Sequence, residues 1–209
     1  MTAPHCVDYT ALIDATCMTH FRSIKQVLAE AYETYTSEVS EADMALSLEA
    51  SAYLTALCLV TEPATALDLG SGFSSFALRR IKAEVLPNME IVSVDTDAGW
   101  LQKSREFCLA YGLDGDNFLT WDQTGSLEAS FDIISFDIDH PPARGSFLDH
   151  TLKHFVDPST FLLIDDMHFP KYGIFVHDLL SGYNYAHVPC KHYTLDEYGR
   201  FATLVHSIY

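Results

Sequence analysis

Residues 65–75 read Thr65-Ala66-Leu67-Asp68-Leu69-Gly70-Ser71-Gly72-Phe73-Ser74-Ser75, and this stretch decides the fold. A short apolar run, Thr65–Leu69, breaks at two glycines and then passes into an amphipathic segment. A strand that turns tightly into a helix needs that order. Gly70 and Gly72 let the backbone bend, and approach a ligand, without a Cβ in the way. The plain alternative is a strand-to-helix turn that binds nothing. The next apolar run, Glu90–Asp95, ends in an acid, and a carboxylate at that place can hold a ribose diol. Together the two features favour an adenosine ligand, held by Gly70, Ser71 and Gly72 on one side and by Asp95 and Thr96 on the other.

Further apolar runs follow at Phe118–Trp121, Phe131–Phe136 and Thr160–Ile164, with amphipathic segments between them. Continuous apolar runs alternating with helices predict a parallel sheet covered on both faces. The clearest helix starts after Asp97, a good N-cap. It buries Trp100, Leu101, Phe107, Cys108 and Tyr111 and stops at Gly112. Asn184–Pro189 and Arg200–Ser207 follow one another with only a polar loop between, which predicts an antiparallel pair. Before the sheet, a stripe from Val7 through Phe21, Ile24, Leu28 and Ala31 to Tyr35 has helical spacing. Ser40-Glu41-Ala42-Asp43 reads as a capping box that opens a second helix, ended by Pro63.

The fold class is therefore α/β: a Rossmann-like doubly wound sheet, mostly parallel with a C-terminal antiparallel hairpin, preceded by N-terminal helices. One domain spans 1–209, with helices over 1–62 and the core over 63–209. The first helix is expected to serve as a substrate lid or as the contact of a homodimer.

Composition narrows the partners. The 209 residues are 48% hydrophobic and 20% charged, which excludes a disordered chain. A chain of this length buries roughly 70% of its unfolded surface. No apolar run reaches the ~18 residues of a membrane span, so no membrane is expected. Met1-Thr2-Ala3-Pro4-His5 shows no features of a secretory leader. Five scattered cysteines without a C-x-x-C pair read as reduced thiols, and the expected location is cytoplasmic. Twelve Lys and Arg against 29 Asp and Glu leave a net charge of −17, which disfavours nucleic acid and favours a cation.

The second informative constellation is a pair of strand ends. Phe131-Asp132-Ile133-Ile134-Ser135-Phe136-Asp137-Ile138-Asp139-His140 and Phe161-Leu162-Leu163-Ile164-Asp165-Asp166-Met167-His168 each finish in acids and a histidine. Adjacent parallel strands bring both ends to the carboxyl edge, beside the glycine turn. Carboxylates gathered there repel one another, and each unit of pKa elevation costs about 1.4 kcal/mol. A hard divalent cation with oxygen ligands, such as Mg²⁺, removes that cost. Solvated acids at strand ends are the plainer reading.

Asp68-Leu69-Gly70-Ser71-Gly72 after a strand resembles motif I of the class I S-adenosylmethionine-dependent methyltransferases, while the third glycine of a dinucleotide fingerprint is replaced by Ser75. The resemblance runs from about Leu46 to the C-terminus and implies S-adenosylmethionine as cofactor, with Asp68 near its cationic amino-acid half. Ser74 stands where many members have a third glycine, so it too falls among the cofactor residues, as does Asp137. The spacing of Asp137 from Asp165-Asp166 is similar to that of the metal acids in cation-dependent O-methyltransferases. Of these, the macrocin and novobiocin sugar enzymes resemble it more than the catechol and caffeoyl-CoA enzymes. Carried over, Asp137, Asp165 and Asp166 would hold Mg²⁺ or another divalent cation. Asp139 corresponds to the sugar enzymes' proposed base, and His140 stands where the catechol type has a lysine. The base stays open between these two.

Several readings compete. Asp139-His140-Pro141-Pro142 is weakly similar to an amino-methyltransferase motif, with Ala143 in place of its aromatic residue. His150 and His154 share a helical face but have no third ligand partner. Trp121 and Asp122 are placed to touch adenine, and His168 to support the acids. The sequence thus points to O-methylation of a hydroxyl on a small molecule. A metal-independent O- or N-methyltransferase, a non-catalytic adenosine-cofactor-binding protein and a nicotinamide dehydrogenase are the alternatives.

Overall fold

Each central strand carries apolar side chains on both faces, and their alternation divides them between two cores. The strands are β1 (Thr65–Leu69), β2 (Glu90–Asp95), β3 (Phe118–Thr120), β4 (Ile133–Phe136), β5 (Phe161–Ile164), β6 (Tyr185–Pro189) and β7 (Thr203–Ser207). The helices are α1 (Tyr9–Glu38), α2 (Leu48–Thr61), α3 (Phe73–Glu84), α4 (Ala98–Ala110), α5 (Arg144–His154), α6 (Pro170–Gly182) and the single turn α7 (Lys191–Thr194). This computed structural model describes residues 9–127, 130–140, 143–183 and 185–207. Val7, Cys6, the Pro141-Pro142 pair and Asn184 lie outside the described residues.

The strands form one sheet in the order β3-β2-β1-β4-β5-β7-β6. Five strands run parallel, and β7 pairs antiparallel with both β5 and β6. This is the Rossmann-like, mostly parallel sheet with a closing antiparallel hairpin that the sequence predicts. Ala66, Ile91, Ile133 and Leu163 pack with Leu54, Leu57, Leu78 and Ile81 from α2 and α3. Leu67, Ile134, Leu162 and Val205 face the other way, onto Leu148 and Leu152 of α5 and Val176 and Leu180 of α6. A third cluster joins Leu28, Ala31 and Tyr35 of α1 to Phe73 and Phe76 of α3 and Phe107 of α4. Among the described residues no helix is long and apolar enough to cross a membrane.

Three local readings change. α2 starts at Leu48, capped by Ser47, whose hydroxyl accepts from the Ala50 amide at 3.0 Å. Ser40 is not a cap, because α1 runs on to Glu38 and the following turn bends back, with the Val39 and Ser40 amides donating to the Tyr35 carbonyl. Strand β3 ends at Thr120, and Trp121 begins a short 3₁₀ turn. α4 keeps its Asp97 cap and its Gly112 stop at φ +71°, but Tyr111 is 37% exposed rather than buried.

Candidate active site

The carboxyl ends of β1, β2, β4 and β5 open into one cavity of about 1190 Å³. Ordinary ligand pockets run to roughly 300–1,000 Å³, so there is room for a cofactor together with a second molecule. One end is the glycine turn. Gly70 has φ +97°, and a Cβ there would lie 2.5 Å from the Asp137 backbone. The turn after β1 and the loop after β4 touch at that point, joined also by the Asp137 amide donating to the Leu69 carbonyl at 2.7 Å. A Cβ on Gly72 would reach to 3.4 Å of the Tyr35 hydroxyl, so glycine keeps that corner open.

Asp95 is tied into the turn. Its Oδ2 accepts from the Ser71 amide at 2.8 Å and the Ser71 hydroxyl at 3.1 Å, and its Oδ1 from the Asp97 amide at 3.0 Å. The Trp100 indole donates to the Ser71 carbonyl at 2.7 Å, closing the same wall. Burial pushes the Asp95 carboxyl above its ordinary range. Gly70, Ser71, Gly72, Ser74, Asp95 and Thr96, the cofactor candidates of the sequence, all line the cavity.

Asp68 does not line it. Its carboxylate is fully buried on the α3 side of β1, accepting from the Ser75 and Ser93 hydroxyls, the latter at 3.0 Å. Arg79 stands behind Ser93, donating to its hydroxyl at 2.8 Å. Burial raises the Asp68 carboxyl to about 6. The acid of the motif thus braces the turn from beneath. Trp121 and Asp122 also lie outside the cavity lining, and Trp121 packs edge-on against Phe147 and His150. His150 and His154 pack with tilted rings 4.3 Å apart between centroids on α5, and neither lines the cavity.

The acids gather at the other end. Asp137, Asp139, His140, Asp165, Asp166 and His168 all line the cavity. Asp139 (φ +58°) and Asp166 (φ +62°) adopt left-handed backbone, which aspartate tolerates better than most residues and which is characteristic of functional loops. The Asp139 Oδ1 accepts from the His140 amide at 2.7 Å. Burial, and then the neighbouring Asp166 charge, raise Asp165 to about 6. Burial also pushes Asp137 well above the carboxylate range, against the pull of Arg144.

Arg144, the first residue of α5, escaped the sequence reading and sits at the centre of this group. Its side chain is 3% exposed and forms ion pairs with Asp137 Oδ1 at 2.9 Å and Asp166 Oδ2 at 3.0 Å. Its Nε donates to the Ile138 carbonyl at 3.0 Å, and Nη2 reaches the carbonyls of Asp137 and Asp139. No local pattern distinguishes this arginine from a surface one. The signal was global: buried acids gathered at one edge require a cation. Further wall comes from Met44, Phe169, Tyr172, Phe175 and Tyr198, in the N-terminal region and after Asp166 and Tyr193, where the sequence places the acceptor pocket without naming these side chains. Tyr172 is buried, and among the described residues its hydroxyl has no hydrogen-bond partner.

No protein-family model and no curated protein matches the chain. Solved structures do. The O-methyltransferase TomG from Streptomyces achromogenes, involved in tomaymycin synthesis and solved with S-adenosylmethionine, is 16% identical over 85% of this chain and 87% of its own, with a TM-score of 0.63. The S-adenosylhomocysteine-bound methyltransferase PaMTH1 from Podospora anserina is 17% identical over 99% and 98%, with a TM-score of 0.62. A Bacillus cereus O-methyltransferase in complex with S-adenosylhomocysteine is 16% identical over 90% and 89%, at 0.60. At such identities the likeness establishes the fold: this chain has the fold of these methyltransferases.

The two ligands that the sequence resemblance implies fare differently against this geometry. An adenosine cofactor fits the glycine corner, where the Ser71 hydroxyl, Asp95 and Thr96 line open space and the buried Tyr35 hydroxyl lies behind Gly72. A divalent cation between Asp137 and Asp166 does not fit. Mg²⁺ holds its oxygens at about 2.0–2.1 Å, and the Arg144 guanidinium already fills the interval between those two carboxylates. Among the described residues no group of three His, Cys, Asp or Glu is arranged to hold a metal ion.

Proposed function

We propose that the protein is an S-adenosylmethionine-dependent methyltransferase acting on a hydroxyl of a small molecule. One observation carries this reading. In a methyltransferase fold, the glycine turn with Asp95 and the acid loops with Asp139 share a single cavity. Bound S-adenosylmethionine supplies a methyl already activated on a sulfonium, which leaves as a neutral thioether when the acceptor oxygen takes the methyl. The chain's own part is to hold the oxygen in line and accept its proton. Asp139 is assigned as that base, because its backbone is clamped by Arg144 through the Asp139 carbonyl while its side chain faces the cavity. Ser71 and Asp95 orient the cofactor. Met44, Phe169 and Phe175 line the cavity as exposed apolar side chains and suit an apolar or aromatic acceptor body. The net charge of −17 argues for a neutral or cationic acceptor and against nucleic acid.

Calorimetry with S-adenosylhomocysteine, followed by a mass-spectrometric search for methylated products across a hydroxylated acceptor panel, tests the reading. Absence of S-adenosylhomocysteine binding overturns it; binding without any product leaves the cofactor-binding alternative standing. Given an acceptor, Asp139→Asn is expected to lower kcat about 100-fold with cofactor affinity unchanged, and His140→Ala much less.

A further inference from the structure

We infer that Arg144 is a built-in cation standing where a cation-dependent relative would hold its metal, so that this site works without a divalent ion. The meaning of this assignment rests on the methyltransferase reading; its test does not. The guanidinium has five N–H donors in a rigid plane and stays protonated in proteins. Here Nη1 takes Asp166, Nη2 takes the Asp137 carboxylate and backbone carbonyls, and Nε takes the carbonyls of Ile138 and Asp139. Its anchorage is therefore as much to backbone as to the acids. A side chain held only by carboxylates could swing aside for a metal. This one, 3% exposed, would have to give up hydrogen bonds to three consecutive carbonyls, the Ile138 carbonyl among them being buried.

The charge balance agrees. Arg200, also buried, lines the same cavity and lowers the cost of ionising Asp137 and Asp165 from the far side. Two fixed guanidinium groups thus provide the positive field that a divalent ion gives elsewhere. They do so without an exchangeable ligand position, so the acceptor oxygen is held by hydrogen bonds and not by coordination. Arg144 is a positioning residue in this account: it fixes the Asp137 and Asp166 carboxylates and the Asp139 backbone, and does not itself touch the reacting atoms.

Mn²⁺ is the probe, read by its electron paramagnetic resonance signal, which is lost on binding. The wild-type chain is expected to leave the ion free up to about 1 mM. Arg144→Ala uncovers the acids and is expected to bind Mn²⁺ at least about tenfold more tightly than wild type, an affinity that Asp166→Asn removes in the same background. Stoichiometric Mn²⁺ binding by wild type that disappears in Asp166→Asn overturns the inference. A folded Arg144→Ala protein that still ignores Mn²⁺ overturns it too, since Arg144 would then not be what excludes the ion. If Arg144→Ala fails to fold, the wild-type and Asp166→Asn measurements decide alone. S-adenosylhomocysteine calorimetry on the same samples, with and without EDTA, separates the two claims. Lost cofactor binding in wild type without EDTA counts against the methyltransferase reading only, and unchanged binding in EDTA with Mn²⁺ left free supports both.

Discussion

At Gly70 two requirements coincide, a left-handed φ of +97° and backbone of the neighbouring loop 2.5 Å from where a Cβ would stand. The obstacle is peptide, not a flexible side-chain end, so relief requires β1 and the loop after β4 to part. Gly70→Ala is expected to cost at least about 3 kcal/mol, read as a lower urea midpoint. Tyr35 presents a milder case. Its ring is locked against Phe73 and Phe107, at 5.6 Å and 5.0 Å between centroids, while its buried hydroxyl lies directly behind Gly72. Tyr35→Phe should leave stability within about 1 kcal/mol of wild type and weaken S-adenosylhomocysteine binding several-fold by calorimetry. The glycines were legible because their spacing is local. Tyr35 read only as one apolar position of a long stripe, since nothing in a helical stripe says which hydroxyl ends at a cavity.

Among elements, strands were the most legible, because those buried on both faces are written as unbroken apolar runs. β1 and β2 match their predicted limits, and the other strands differ by one to three residues at an end. The start of α2 was not legible. Ser40 and Ser47 are both plausible caps by local rules, and the choice is made by Arg200, whose guanidinium holds the carbonyls of Ala42 and Asp43 at 2.8 Å and 2.7 Å and keeps that turn out of a helix. Ser47→Ala is therefore expected to lower the melting temperature by a loss of about 1 kcal/mol, whereas Ser40→Ala should have little effect. Arg144 was hidden for the same reason. A basic residue opening a helix looks locally unremarkable, and its role comes from two loops that meet only in the folded sheet.

For the molecule as a whole, the buried acids set the response to pH. Asp68 and Asp165 both have folded-state values near 6, above the ordinary 3.8, so between those limits the folded chain binds more protons than the unfolded one. Stability attributable to these groups therefore falls as pH rises from about 4 to about 6 and is level above that. Asp68→Asn should flatten the curve over that window in urea titrations at a series of pH values, by up to about 3 kcal/mol between its ends. An unchanged slope would show that Asp68 is not the group responsible. Removing residues 1–36 is expected to abolish cooperative unfolding, because Leu28, Ala31 and Tyr35 form part of the core with Phe73, Phe76 and Phe107.

The reach of Arg200 back to the turn at residues 42 and 43 also has a temporal side. β7 lies between β5 and β6 in the sheet, and among the described residues β6 pairs with β7 alone. On a ribosome that extends the chain from its N-terminus, the turn carrying Met44 is made long before residues 200–207 and strand β6 just before them, and both wait for that segment. The part of the cavity wall that Tyr198 and Arg200 form is therefore missing until that segment has been made. A nascent chain stalled before Arg200 would carry the glycine corner without the tie to the turn at residues 42 and 43, so the Met44 side of the cavity is set only after the cofactor side.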